Sequence, residues 1–561
     1  MTDRPSAPIL AGATRREAFA AAALLAGAGA VAASPASAQS ASEHLEPGDG
    51  VVSTPDDAVV RTTAGAVRGF KRSGVYTFKG IPYGADTGGS ARFMPPRPAD
   101  KWSGVRLSLV YGPISPQAQN PHAPGQAEQP LAFVNDIIPG QIGEDCLCLN
   151  VWSRGLDPAA KRPVMVWLHG GGFFSGSSSE EPSYNGENLA RKGVVLVSVN
   201  HRLGPVGFMD MTGVGGAAFR GSGNAGMLDL VLALEWVRDN IAGFGGDPSR
   251  VTIFGHSGGG GKVSTLMSMP SAKGLFHRAG IMSGSFPAGI PQKDAQALTA
   301  ATMAQLGLAP GDIAGLQQVD AARLIAAGNM AARKLAPPPA AGGLPRSGGI
   351  NFGPVIDGDA LPEDWHTAAP RQTADVPMII GNVRDEFRPT SLSFTDADLS
   401  KAVPPQHADK APQIIAALRK AYPGLPPTEI GAMIGGMFMR NMALDQCRKK
   451  QALGAAPVYS YWFTWASPIL DGRIGVPHGS DIPGAFDNTA NSDQFTGNTP
   501  EARRLAKVMS QAWINFATTG NPSQPDHAWP AWDPNVFQTM IFDNRVRVED
   551  DPAGEARRLL V

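Results

Sequence analysis

Val251-Thr252-Ile253-Phe254-Gly255-His256-Ser257-Gly258-Gly259-Gly260-Gly261-Lys262-Val263 is the stretch on which the reading of this chain turns. Its first four residues are β-branched or aromatic and nearly all apolar, as in a strand buried on both faces. From Lys262 to Met269 the apolar spacing is helical. Between them Gly255, Ser257 and Gly259 make the single G-x-S-x-G of the chain. In so glycine-rich a sequence chance supplies about half a match to that pentapeptide, so its context carries the meaning. A sharp strand-to-helix turn strains the central residue and tolerates only small residues two places before and after it. Ser257 Oγ would then stand above the strand's carboxyl end, at a helix N-terminus that favours negative charge. The glycine run before Lys262 also looks like a phosphate-binding loop. That loop would need Gly where His256 stands and Ser or Thr where Val263 stands, which excludes it.

Working outward, similar apolar runs recur at Val164 to Leu168, Val194 to Val199, Gly280 to Met282, Val376 to Ile380 and Val458 to Phe463. Helical spacing lies between and after them, at Leu228 to Ile241 and Arg503 to Thr518. Alternation of this kind predicts an α/β fold with a central, mostly parallel sheet and helices on both faces. The strand ending at Leu168 runs into His169-Gly170-Gly171-Gly172-Phe173. Three consecutive glycines let backbone N–H groups approach a substrate unobstructed, and each preorganised donor to a developing oxyanion is worth roughly 3–4 kcal/mol. Gly171, Gly172 and the amide of Gly258 are therefore the candidate oxyanion hole.

The chain has 561 residues, of which 43% are apolar and 17% charged, with 48 basic and 49 acidic side chains. Dividing the length by ~150 would give three or four domains, but the strand pattern continues unbroken and no repeat is found. The tract from Pro337 to Gly349 reads as a surface loop within one domain. The balanced charge excludes a bulk field for nucleic acid or anionic membrane. At the N-terminus Arg15-Arg16 precedes an uncharged Ala- and Gly-rich stretch from Ala18 to Ala33, followed by Ala36-Ser37-Ala38. This is the layout of an export signal, residues 1–38, of twin-arginine type and cleaved after Ala38, with Phe19 one place later than the motif usually has it. Residues 39–58 would be a lead-in, and nothing downstream is long and apolar enough for a membrane span. The predicted location is thus periplasmic or secreted, in a bacterium. Cys146 and Cys148 are two apart in an extended segment and Cys447 is far away, so no disulfide is expected. No H-E-x-x-H or paired Cys/His spacing points to a metal.

Further motifs now stand in order: Phe78-Lys79-Gly80-Ile81-Pro82-Tyr83, Arg92-Phe93, Gly143 to Val151, Asn200 to Phe208, Gly223 to Asp229, Phe244 to Pro248 and Gly274 to Ala279. Together with the elbow and the glycine loop, they resemble the type-B carboxylesterases, the α/β-hydrolase family of cholinesterases and para-nitrobenzyl esterases. The resemblance runs from about Val59 to Phe542 and implies the α/β-hydrolase fold as a single domain over 59–561, with long loop and helical insertions that form a gorge. It further implies a Ser…Glu…His triad of Ser257, Glu386 and His478, with Asp385 as the competing acid. Hydrolysis of a small-molecule ester through an acyl-enzyme would follow, with no metal and no cofactor. A same-mechanism carbamate or amide hydrolase is the alternative. A non-catalytic binding module is disfavoured because all three triad positions are filled. Oligomeric state is not legible here.

Three departures from the family pattern matter. His256 stands where glutamate is common, and is either a second titrating imidazole for an acidic substrate group or a neutral buried ring. Gly258 stands where alanine is usual. The family's disulfide partner of Cys146 falls near Ser115-Pro116-Gln117, where this chain has serine, so that bridge should be absent. The loop from Pro116 to Gly143 has no Trp or Tyr, which argues against a choline ester. Phe173, Phe174 and Phe286, with His256, are the candidates for pocket walls, although buried aromatic packing is the stronger reading for any one of the phenylalanines.

Overall fold

The strands that carry the fold lie in one eleven-stranded sheet of a computed structural model, which describes residues 50–118, 138–335, 351–386, 388 and 395–561. In chain order they are β1 (Phe70–Arg72), β2 (Val75–Pro82), β3 (Cys148–Ser153), β4 (Arg162–Leu168), β5 (Val195–Val199), β6 (Gly246–His256), β7 (Arg278–Met282), β8 (Met378–Val383), β9 (Val458–Phe463), β10 (Gln538–Phe542) and β11 (Arg547–Asp550). Their spatial order is β11-β10-β9-β8-β7-β6-β4-β5-β3-β2-β1. The seven from β10 to β5 are mutually parallel, and antiparallel strands finish both edges. This is the α/β-hydrolase sheet expected from the sequence. The export segment 1–38, residues 39–49 of the lead-in, the tract 337–349 and most of the loop 116–143 lie outside the described residues.

Side-chain alternation explains why the central strands read as continuous apolar runs. Along β4, Val164, Val166 and Leu168 enter one core while Met165 and Trp167 enter the core on the other face. Each parallel strand is thus covered on both sides, and its alternation vanishes from the sequence. The longer helices are α1 (Ala225–Asn240), α2 (Gly258–Ser268), α3 (Gln292–Leu306), α4 (Ala321–Leu335), α5 (Pro427–Gln451) and α6 (Pro500–Thr519). Helix α1 sends Leu230, Leu234 and Val237 into the first core, and α6 sends Met509 and Trp513 into the second. The bounds of α6 are written in its sequence. Thr499 Oγ1 accepts from Ala502 N at 3.2 Å, Pro500 takes the first position, and Gly520 ends the helix at φ 83°.

Several strand boundaries differ from expectation, and two strands show identifiable reasons. β8 begins after Pro377, and it continues through Gly381, Asn382 and Val383 because these pair with Tyr461, Trp462 and Phe463 of β9. β6 runs on to His256, held by pairing of Gly255 with Leu168 and of His256 with Met282. The extension delivers Ser257 at the end of a strand clamped on both sides.

The dispersed motifs meet as buried ion pairs. Arg202 Nη2 donates to Asp229 Oδ1 at 2.6 Å and its backbone N to Oδ2 at 2.9 Å. Arg92 holds Glu144 through Nε and Nη2 at 2.7 and 2.6 Å. The three cysteines are buried and free. Ser115 Oγ accepts from Leu203 N at 3.0 Å, so this serine joins two segments by a hydrogen bond rather than a disulfide. Residues Val51–Val561 make up one compact unit.

Candidate active site

Ser257 adopts φ 56° and ψ −123° between β6 and α2. A non-glycine residue held there costs about 1–3 kcal/mol, which the surrounding structure must offset. Part of the restraint is the hydrogen bond from Ser257 N to Met282 O at 2.8 Å, and another is Gly261 N to Ser257 O at 3.1 Å. The flanking glycines are sterically required. A β-carbon at Gly259 would sit 2.0 Å from Leu168 O, and one at Gly255 would sit 2.6 Å from both Leu168 O and the Gly259 carbonyl carbon. The G-x-S-x-G spacing is therefore set by three backbones crossing at one point.

Glu386 follows β8, and its Oε1 accepts from Val383 N at 3.1 Å. His478 sits in the loop after β9, and its Nδ1 bonds Glu386 Oε2. Burial works against the imidazolium, but the charge of Glu386 and the hydrogen bond to it, reinforced by Asp481 and Glu181, hold the His478 pKa above its ordinary value. Asp385, the rival acid, is fully engaged elsewhere. Its carboxylate takes Arg384 Nε and Nη2 at 2.8 and 2.9 Å, Arg388 Nη1 at 3.1 Å and Val476 N at 3.0 Å. Adjacent residues thus have opposite duties: Asp385 ties loops together and Glu386 faces the histidine.

The glycine loop after β4 turns sharply, with Gly171 and Gly172 at φ 76° and 64°. Gly171 O accepts from Phe174 N at 3.4 Å and from Ser175 N and Oγ at 3.0 Å each. Among the described residues no hydrogen bond occupies the N–H of Gly171, Gly172 or Gly258. A β-carbon at Gly258 would lie 2.3 Å from Gly172 O and 2.4 Å from its N. Glycine in place of the usual alanine is therefore matched to a loop that closes tightly over the helix start.

A cavity of ≈ 740 Å³ opens at this end of the sheet, within the range of small-molecule sites. Ser257, His478, His256, Gly170 and Gly171 line it, together with Glu180, Glu181, Ser175, Ser177, Ser183 and Ser480. Gly172 and Gly258 are not among its walls. Three predicted wall residues also stand elsewhere. Phe173 is buried, edge-on to Phe208 at 5.5 Å, Phe174 is half exposed, and Phe286 is half-buried against the core beside Gly261. Apolar packing claims Phe173 and Phe286, and the apolar part of the described wall comes instead from Ile114, Ile138, Tyr184 and Phe495. His256 does reach the cavity, with its ring 4.3 Å from that of His478. Burial, and then the proximity of His478, push its pKa well down, so the ring is neutral and brings no charge to an acidic substrate group.

Four titratable groups around the site were given no role by the sequence reading. Burial pushes Glu180 up to about 8 and raises Glu181. Asp481 is pushed up to about 7 by burial, with the charge of Glu386 adding, and accepts from Tyr461 Oη at 2.6 Å. Lys262 lies wholly buried beneath the glycine loop, its Nζ donating to His169 O at 2.9 Å. Only Lys262 left a signal, as the lysine after the glycine run. Among the described residues no three His, Cys, Asp or Glu side chains cluster as metal ligands, and no helix is long and apolar enough to cross a membrane.

The sequence profile of the carboxylesterase family matches residues 56–558. The chain belongs to that family. This carboxylesterase is 34% identical to the para-nitrobenzyl esterase of Bacillus subtilis (strain 168) over 512 residues, 90% of this chain and 98% of that protein. It is also 34% identical to the phenmedipham hydrolase of Pseudarthrobacter oxydans, over 88% of this chain and 97% of that one. Among solved structures, an esterase from anaerobic Clostridium hathewayi that can hydrolyse aliphatic aromatic polyesters superposes with a TM-score of 0.78 at 35% identity, covering 91% of this chain and 99% of that one. It is an ester hydrolase of the type-B carboxylesterase class.

Proposed function

We propose that this carboxylesterase is an exported serine esterase acting on small-molecule carboxylic esters through an acyl-enzyme. One observation carries the mechanism: Ser257 and His478 line the same cavity while Glu386 grips the far nitrogen of that histidine. His478 Nε2 takes the proton of Ser257 Oγ as the oxygen bonds to the ester carbonyl carbon. The carbonyl electron pair moves to its oxygen, opposite the N–H of the cavity-lining Gly171, with the unoccupied N–H groups of Gly172 and Gly258 directly behind that wall. Collapse breaks the bond to the alcohol, which leaves with the proton from His478. Water, deprotonated by the same histidine, then releases the acid and restores Ser257. Glu386 orients the imidazole and stabilises its cation. Export rests on the Arg15-Arg16 signal layout ending at Ala36-Ser37-Ala38, which places the mature enzyme in the periplasm or medium.

The test is turnover of matched aryl ester, carbamate and anilide substrates by the wild type, Ser257→Ala and His478→Ala. The ester should be fastest and both variants nearly inert with unchanged circular dichroism. Wild-type rates in either variant, or turnover of the anilide alone, would overturn the reading. For export, N-terminal sequencing of the secreted form should begin at Gln39; retention of residues 1–38 in the cytoplasm would refute it.

A further inference from the structure

Lys262 occupies the second turn of α2 with no exposure to solvent and, among the described residues, makes no ion pair. Its ammonium meets the carbonyl oxygens of His169 at 2.9 Å and Gly170 at 3.4 Å, with the Phe173 ring 5.7 Å away. Burying a cation without a counter-ion is costly, and a core position of this kind calls for a reason. The reason lies in which peptide groups it touches. The carbonyl of Gly170 shares its peptide group with the N–H of Gly171, and the carbonyl of His169 shares its own with the N–H of Gly170. Both glycines line the cavity. An amide whose oxygen accepts from an ammonium becomes a stronger donor at its nitrogen, and the fixed charge behind the loop attracts an oxyanion in front of it.

We propose that Lys262 is a positioning residue of the oxyanion hole, holding the His169 and Gly170 carbonyls away from the cavity and strengthening the Gly171 N–H through the shared peptide group. This rests on the serine-esterase reading above. The titratable groups that face Lys262 are Glu180, His169 and His201, the two imidazoles stacked at 5.1 Å. Burial keeps both rings neutral, and Lys262 disfavours their cations further. Burial also pulls the lysine down to about 7, with Glu180 pulling back up. Below that pH the hole is backed by an ammonium, and above it by a neutral amine that still donates but lends no charge.

The test compares the full-length wild type, Lys262→Met and Lys262→Gln on an aryl acetate, with Ser257→Ala as the inert reference. Lys262→Met should lower kcat on the order of 10- to 100-fold with KM within about threefold, since outright loss of one donor costs about 10²–10³. Lys262→Gln, which keeps a donor without charge, should fall between. A trifluoromethyl ketone, whose carbon bonds Ser257 Oγ and whose oxygen takes the negative charge, should lose affinity by the same factor as kcat/KM. The wild-type kcat should decline above a pH of about 7 to a lower plateau, a limb absent from Lys262→Met. Glu180→Gln removes the other group that titrates in this range and leaves the lysine in place, so the limb should persist in it, and the idea stays testable if both lysine variants misfold. Lysine variants with wild-type kcat and ketone affinity, or loss of the alkaline limb in Glu180→Gln, would overturn it. An inactive wild type, or an active Ser257→Ala, would instead overturn the esterase mechanism beneath it.

Discussion

Gly259→Ala should disable the enzyme by displacing the oxyanion loop, without touching any reacting atom. The added carbon would lie 2.0 Å from Leu168 O and 2.9 Å from His169 O, whereas real β-carbons essentially never come closer than 3.0 Å. Relief therefore demands a movement of about 1 Å at the last residue of β4, and misplacement on that scale costs on the order of 100-fold in rate. Neither partner can yield cheaply. Gly259 is held in the first turn of α2, and Leu168 is locked in register between Val199 and Gly255. Overpacking of this kind also destabilises by about 1–3 kcal/mol. Steady-state kinetics on an aryl ester, beside urea unfolding, would read both quantities. Gly424→Ala is the control, because a β-carbon there meets nothing within 4 Å and the site is exposed. Should Gly259→Ala retain wild-type kcat/KM and urea midpoint, the steric account of the elbow is wrong.

The paired acids after β8 should separate cleanly: Glu386→Gln lowers kcat by orders of magnitude near neutral pH, while Asp385→Ala mainly destabilises, by about 3 kcal/mol, because it takes from Arg388 its carboxylate and leaves Arg384 with Glu429 alone. In Glu386→Gln the acid limb of the residual pH–rate profile should also move to lower pH, since the charge that raises the His478 pKa is gone and the free base then persists in more acidic solution. An unchanged limb would refute that coupling. Asp229→Asn should cost about 3–5 kcal/mol in urea denaturation, as Arg202 is buried and charged, and a change under 1 kcal/mol would show the pair is dispensable. His256→Gln should leave the ranking of acidic against neutral esters unchanged within about threefold, because a neutral ring selects no charge; a specific loss of the acidic esters in a substrate panel would restore the charge-binding role.

The legible part of this protein was local. The elbow, the glycine loop and the alternating strands are determined by steric demands within a few residues, so Gly255, Ser257 and Gly259 declare a turn wherever they occur after a buried strand. Glu386 and His478 were reached only through family resemblance, since a lone acid or histidine carries no local signature. The pocket-wall candidates carry no local signature either: core packing is already the stronger reading of Phe173 and Phe286 in the sequence, and the structure packs both against the core.

By itself the sequence determined the sheet-and-helix order, the strained serine and the need for glycine beside it, because backbone sterics act between near neighbours. Only the tertiary structure decided that Asp385 is tied to arginines while Glu386 meets His478, that His256 stays neutral, and that Lys262 lies under the oxyanion loop. Those outcomes depend on burial and on partners as many as 93 residues away, and charge in a protein is governed by exactly such surroundings, not by the residue's own identity.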